Sequence, residues 1–405
     1  MSTKLREFIK ISWDKALTYN EAKSFDLPHP FVPPCVDGRF RTLYYWDTYF
    51  TNVGLILDGK KEYALYNTED LIFALNFFGC VPNCVWDGGA NVCSQPPLLG
   101  LMIKDIYKAY GDEKWLDNAL AHLEKEYEFW MTKRITPIGL NQYGHNNPPK
   151  ELILESYKYI STHRLPHLPK DADEEYKINL VLNLYAEGES GEDYTPRYDH
   201  HNPLDYAQID LNSHLYGVED FLATAYKTRD SKKSEYYENQ KNKRLELLNK
   251  YCFDEKTKLY YDYDFVKKER STRICCACFT PFFYGYAKDF SALPFLYDAL
   301  KCKGGLVACE DVGDCSYQWG YPFVWAPHQF FAHEALYNNG YKDIAKELRT
   351  NYMNLLSSEF DKSGRLWERY DENGVAPGLE YATVPMLGWT AGVYTHFYYL
   401  SKKED

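Results

Sequence analysis

The apolar positions of this chain fall in helical registers almost from end to end. Leu116, Leu120, Leu123, Tyr127 and Trp130 recur at offsets of 4, 7, 11 and 14, the spacing that keeps apolar side chains on one face of a helix. Leu245, Leu248 and Cys252 repeat at 3 and 7, and Ile344, Leu348, Tyr352 and Leu355 at 4, 8 and 11. Gly111 after KAY and Gly340 after YNN mark helix ends, where glycine accepts the left-handed backbone that stops a helix. Strand-like runs are short and local: KLYYDYDF at 258–265 and GRLWERYD at 364–371. Strands do not alternate with helices at the spacing of a dinucleotide fold, and no glycine-rich phosphate loop occurs.

FDEKTKLYYDYDF (253–265) and FDKSGRLWERYD (360–371) share a helix end, a turn and a short aromatic strand, and ITPIGLNQYG (135–144) is a weaker third case. An array of helical hairpins has this punctuation when its loops gather at one end. At about 30–35 residues per helix with its connection, the chain supplies roughly a dozen helices. The pattern predicts an all-α fold: a closed ring of helix pairs, an (α/α)6 barrel, with short β-hairpins in its loops and one domain over residues 1–405. An open solenoid is the alternative, and the diversity between repeats argues against it.

Composition narrows the function. A formal net charge of -12 and a pI near 5.5 argue against nucleic acid or an anionic membrane surface as partner. No apolar run approaches the roughly 18 residues of a membrane span, and the N-terminal stretch has no leader-length apolar run. The 11 cysteines, odd in number and scattered, fit reduced thiols, so a cytoplasmic location is expected. Cys275, Cys276 and Cys278 lack zinc-knuckle spacing and read as buried small residues. Aromatic content is 17%, with 38 Tyr and 9 Trp, enough to line a cleft with flat faces suited to sugar rings.

The chemistry-bearing stretches fit that cleft. LNLYAEGESGEDYTPRYD (182–199) gathers Glu187, Glu189, Glu192 and Asp193 around Gly188 and Gly191, followed by Arg197 and Asp199. The glycines predict a bent loop that can aim a carboxylate into a cavity. DGRFRTLYYWDTYF (37–50) holds Arg39, Phe40, Trp46 and Asp47: an indole to stack on a sugar ring, a carboxylate to accept from two hydroxyls, and a forked donor. VPNCVWDGGANVCSQPP (81–97) adds the amides of Asn83 and Gln95 before a helix expected to open at Pro96-Pro97. YQWGYPFVWAPHQFF (317–331) carries Trp319 and Trp325, LWERYD (366–371) carries Glu368, and GLEYATVPMLGWTAG (378–392) carries Glu380 and Trp389. Two acids from distant loops, Asp193 and Glu368, meet the need of glycoside hydrolysis for one protonated and one ionised carboxyl. Glu187, Glu189 and Glu192 are rivals to Asp193, and Glu380 to Glu368. His200, His201 and His328 are read as supporting donors or as ordinary polar packing.

In order, DGRFRTLYYWDTYF, ESGEDYTPR, DLNSHLY (210–216), QWGYPFVWAP, WERYD and GLEY…GWTAG resemble the blocks of the trehalase family over about residues 30–395. The resemblance implies an (α/α)6 barrel and an inverting α-glycosidase acting on a small saccharide without metal or cofactor. It also implies Asp193 as general acid and Glu368 as general base, with Arg39, Trp46, Asp47, Asn83, Gln95, Gly191 and Glu380 holding the sugar. The chain departs from the family at Cys93, where trehalases carry an arginine. Their Arg-Pro-Glu element has no clear counterpart; Arg164 or Lys170 in THRLPHLPKDADEEY (162–176) are the nearest cations. SGEDYTPRYD is closer to the SG-x-D-x-SPR-x-D pattern of the sister family of processing α-glucosidases and mannosylglycerate or glucosylglycerate hydrolases. The chain thus resembles a trehalase-family glycosidase with a rebuilt leaving-group pocket. The alternative of another class is a non-catalytic sugar-binding protein on a degenerate barrel.

Overall fold

The computed structural model describes residues 3–18, 27–36, 39–85, 91–314, 316–379 and 381–404. Among them are fourteen α-helices. The first seven are α1 (Thr3–Ala16), α2 (Tyr45–Leu57), α3 (Lys61–Phe78), α4 (Leu99–Tyr110), α5 (Glu113–Lys133), α6 (Lys150–His163) and α7 (Glu174–Ser190). The rest are α8 (Ile209–Tyr226), α9 (Ser231–Tyr251), α10 (Thr280–Phe283), α11 (Leu293–Leu300), α12 (Ala326–Asn338), α13 (Lys342–Ser363) and α14 (Gly388–Glu404).

Helices α2, α4, α8, α10, α12 and α14 pack each against the next, and α14 returns to α2. This closes the inner ring of an (α/α)6 barrel, with partners such as α3, α5, α9 and α13 outside it. Burial follows position. Inner helices are covered on nearly every side: ten residues of α2 and ten of α12 are buried, against Tyr237, Arg244 and Leu248 alone in α9. An outer helix needs only one apolar stripe, which is why the regular periodicities of the sequence mark α5, α9 and α13. Helices α6 and α7 are the pair beyond a dozen, with a small core of their own built on Ile153, Tyr157, Ile160, Val181 and Leu184.

The ring closes through glycine. A Cβ on Gly392 of α14 would overlap the Phe50 carbonyl of α2, and one on Gly54 would lie 2.6 Å from the Gly392 Cα. The helix backbones therefore touch.

Strands are confined to loops, as expected. Tyr206–Ala207, Tyr263–Asp264 and Glu269–Arg270 form one three-stranded patch, Lys301–Cys302 pairs with Gly305–Leu306, and Val324–Trp325, Arg369–Asp371 and Gly374–Val375 form another three-stranded patch. The expected strands at 258–265 and 364–371 shrink to the pieces at 263–264 and 369–371 plus isolated bridges Phe253–Tyr260 and Trp367–Pro385. The third hairpin is one bridge, Ile135–Asn141. Helix α4 opens at Leu99 and not at Pro96-Pro97, because a proline disfavours helical backbone in the residue before it.

Gly392→Ala should destabilise the protein by about 3 kcal/mol or more, since neither backbone can yield to the added methyl. Urea unfolding monitored by far-UV circular dichroism measures this, with Gly364→Ala on the exposed end of α13 as the mild comparison.

Candidate active site

Asp173 starts α7, its side chain accepting the Tyr176 amide at 2.7 Å. The helix then continues through Glu187, Gly188 and Glu189 to Ser190. The expected bent loop is thus only partly present: Gly188 stays helical, and the chain turns at Gly191, with φ +77°. The hydrogen bonds that fix both flanking glutamates hold the helix together across Gly188. A Cβ on Gly191 would lie 2.7 Å from the Trp46 ring, so the turn and the close approach each require glycine. A Cβ on Gly188 would lie 3.2 Å from Asp193 Oδ1; the missing side chain leaves room for that carboxyl.

The four acids of the stretch separate by partner. Glu189 is fully buried and takes a bidentate bond from Arg134, at 2.6 and 2.7 Å, with further bonds from the Ser94 and Gly144 amides at 2.8 and 2.6 Å. Glu187 accepts the Tyr194 amide at 3.0 Å and pairs with His201 Nδ1 at 2.7 Å. Glu192 pairs with His328 Nε2 at 2.8 Å and lies 3.5 Å from Arg197. Asp193 alone is half-buried, and no hydrogen bond to its carboxyl is found among the described residues. Burial raises its pKa to about 6, with Arg164 opposing and Glu187 adding to the rise.

Glu368 enters from the opposite end of the chain. It precedes the strand Arg369–Asp371, which pairs with Val324–Trp325 so that Trp325 faces Arg369. Its amide donates to the Val384 carbonyl at 3.0 Å, and the Tyr381 hydroxyl donates to its Oε1 at 2.5 Å. Oε2 is buried with no hydrogen-bond partner among the described residues, and the Arg369 guanidinium lies 4.0 Å from it. Burial raises its pKa to about 7, against the pull of Tyr381, Arg369 and Arg39, while the charge of Asp193 pushes it further up. The two carboxyls therefore feel one another, and between those values the pair holds about one proton. Asp47, in the first turn of α2, is a third acid of this group; burial and the Glu368 charge hold it well above the usual carboxylate range.

Aromatic rings wall the acids. Trp46 lies 5.6 Å from Trp319 and 5.7 Å from Trp389, and the Trp389 indole donates to the Glu368 carbonyl at 3.0 Å. Arg39 sits over the Tyr381 ring at 4.6 Å, and Phe40 meets that ring edge-on at 5.5 Å. The Gln95 side chain accepts the Trp46 amide at 3.1 Å and fixes the start of α2; Asn83 reaches the Gly188 carbonyl at 3.4 Å. Glu380 lies outside the described residues.

Two expected sugar ligands are misplaced. Trp325 has no accessible surface: it stacks beneath Trp319 at 3.8 Å with an 8° tilt and serves as backing. Arg197 is sealed among Asp262, at 2.6 and 2.7 Å, and Asp210, at 2.5 Å, so it answers neither to Asp193 nor to Asp199, which is exposed beside Lys267. Of the two cations considered for the leaving-group side, Lys170 is exposed, while Arg164 lies 3.9 Å over the Tyr194 ring and acts on Asp193. Sequence reasoning missed Tyr381. Its signal was present in GLEY, beside the glutamate that drew the attention.

The family model described as trehalase matches residues 1–401. A periplasmic trehalase of Escherichia coli is 28% identical over 402 residues, covering 91% of this chain and 68% of that protein, and one of Shigella flexneri matches equally. Neutral trehalase from Saccharomyces cerevisiae superimposes with a TM-score of 0.76 at 25% identity, over 97% of this chain and 79% of that one. A mannosylglycerate hydrolase from Thermus thermophilus shares the fold, with a TM-score of 0.62 at 17% identity over 98% of this chain and all of its own. The expected cytoplasmic location does not stand, since the curated relatives are periplasmic. Free cysteines carried that expectation. Eight of the ten described thiols are buried, and buried thiols are shielded from oxidants wherever the protein resides.

Glu189→Gln leaves Arg134 buried without its counter-charge and should cost about 3–5 kcal/mol in urea unfolding. Asp193→Asn should behave oppositely. A carboxyl whose folded pKa is raised favours folding only while protonated, and that contribution is lost as pH rises toward about 6. At pH 8 the amide should leave stability unchanged or up to about 2 kcal/mol higher.

Proposed function

The chain belongs to the trehalase family, an inverting glycoside hydrolase of α-glucosides, and on that premise we propose that Asp193 is its general acid and Glu368 its general base. The observation that carries the assignment is the sorting of the acids: Glu187, Glu189 and Glu192 are each bound to a cation or imidazole, while the Asp193 carboxyl stands open and within electrostatic reach of Glu368. Residues 39 to 389 contribute to the site, so the whole chain acts as one catalytic domain.

Protonated Asp193 gives its proton to the glycosidic oxygen as the bond to the anomeric carbon breaks. Ionised Glu368 takes a proton from the water that attacks the opposite face, and exchange with solvent resets both groups. In the free protein the higher pKa, and so the shared proton, lies with Glu368. A bound saccharide shifts it. The sugar excludes water from Asp193, and its glycosidic oxygen can accept a hydrogen bond only from the protonated acid. Trp46, Trp319 and Trp389 offer the slivers of ring face that line the sugar pocket, and Asp47 and Arg39 bind its hydroxyls.

Arg164 marks the leaving-group side. A guanidinium beside the acid suits the hydroxyls of a second glucose, as in trehalose, and equally a carboxylate. The second reading, a glucosylglycerate or mannosylglycerate hydrolase, rests on this cation together with the TPRYD sequence. Comparing kcat/KM for trehalose, glucosylglycerate, mannosylglycerate and short α-gluco-oligosaccharides decides between them, and activity on none of these would overturn both.

Two outcomes test the roles. With an aryl α-glucoside whose leaving group needs no protonation, Asp193→Ala should keep most of its activity, whereas Glu368→Ala should lose about 10²–10⁴-fold; on an alkyl glucoside both should fail. The profile of kcat/KM against pH should be a narrow bell, rising near 6 as the base is freed and falling near 7 as the last proton leaves the pair. Tyr381→Phe removes a bond that holds the Glu368 pKa down, so its alkaline limb should move to higher pH while the maximum drops.

A further inference from the structure

The barrel holds a second cavity, of about 750 Å³, lined by residues that include Tyr49, Lys104, Asp105, Tyr284, Glu334 and His396. It lies deeper along the inner helices than the acids do. Glu334 is nine residues along α12 from Trp325, and His396 seven residues along α14 from Trp389, which puts both about 10 Å or more further down the helix axes. Hydrolysis at Asp193 and Glu368 makes no use of this end.

Three side chains converge at its wall. Glu334 Oε1 is 2.9 Å from His333 Nδ1 and 2.9 Å from His396 Nε2, and the three ligating atoms all lie within 4.8 Å of one another. We infer that His333, Glu334 and His396 form a binding site for a late first-row divalent metal ion, with Zn²⁺ the best match. Two imidazoles and one carboxylate are a borderline donor set that such ions favour over Mg²⁺ or Ca²⁺. Bonds of about 2 Å in a tetrahedron require ligand atoms about 3.3 Å apart; each Glu334–imidazole distance of 2.9 Å is within a few tenths of an ångström of that, and the two imidazole nitrogens lie within 4.8 Å of one another. Glu334 and His396 face the cavity, which leaves room for water in the remaining position.

The scaffold is stiff. His333 is fully buried, stacks on Tyr337 at 15° and lies 4.7 Å from Phe397; His396 lies 5.0 Å from Phe330. An ion held here ties α12 to α14, the two helices whose first turns adjoin Trp325 and carry Trp389 in the catalytic wall.

The test uses the full chain freed of metal by chelator dialysis, with Zn²⁺ in calorimetry and Co²⁺ in visible absorption as separate probes. We expect one ion per chain, the intense visible bands of tetrahedrally coordinated Co²⁺, binding that tightens as pH rises because the ligating nitrogens must present lone pairs, and a higher Tm with Zn²⁺. His396→Gln and Glu334→Gln should each weaken binding more than 100-fold while aryl α-glucoside hydrolysis is retained. Absence of saturable Zn²⁺ and Co²⁺ binding by the wild-type chain overturns the inference without any variant having to fold. Binding that survives in both folded variants overturns it as well, since the ion would then sit elsewhere.

Discussion

The contact on which the rest depends is the backbone-to-backbone meeting of α2 and α14. Gly54 and Gly392 let the first and last inner helices touch without side chains between them, and that contact closes the ring. It also brings the two ends of the chain to one place. Trp46 and Asp47 open α2, Trp389 opens α14, and the Glu368 segment hydrogen-bonds into the loop just ahead of α14 through Val384. That the proposed sugar site is assembled from residues more than 300 positions apart is thus a consequence of ring closure.

Around the proposed site, cations and imidazoles partner the acids to which no chemistry is assigned. Arg134 holds Glu189, Arg197 holds Asp262 and Asp210, and histidines hold Glu187 and Glu192. Each bond fixes a segment: the last turn of α7, the start of α8, the turn after Gly191. Asp193 has no such counter-charge at bonding distance among the described residues, and Glu368 has Arg369 only at 4.0 Å. Buried or half-buried without full compensation, each resists ionisation, and between pH about 6 and about 7 burial, with the charge of Asp193 acting on Glu368, leaves the pair about one proton. The same desolvation that suits these two acids to their proposed roles makes the ionised pair a burden on stability.

The sequence made the fold class legible because outer helices such as α5, α9 and α13 keep an apolar stripe. It left the inner helices α2, α12 and α14 without such a stripe, because they are buried on almost every side, and only their motifs announced them. For the site, residue order brought Asp193 and Glu368 forward, but the choice among four neighbouring acids depends on Arg134, His201 and His328, which come from elsewhere in the chain. Arg197 and Trp325 were misread for the same reason: proximity in sequence to an acid or to another tryptophan does not reveal that one is sealed among carboxylates and the other lies beneath a ring. Compartment was misread because thiol count ignores thiol burial.

The assignment of Glu368 as a base that activates water, and not as a nucleophile, is the centre of the account. Proton NMR of the sugar first released from an α-glucoside, recorded before mutarotation, tests it directly. The account predicts that β-glucose appears first. Initial release of α-glucose would require attack by an enzyme group followed by a second inversion, and would contradict it.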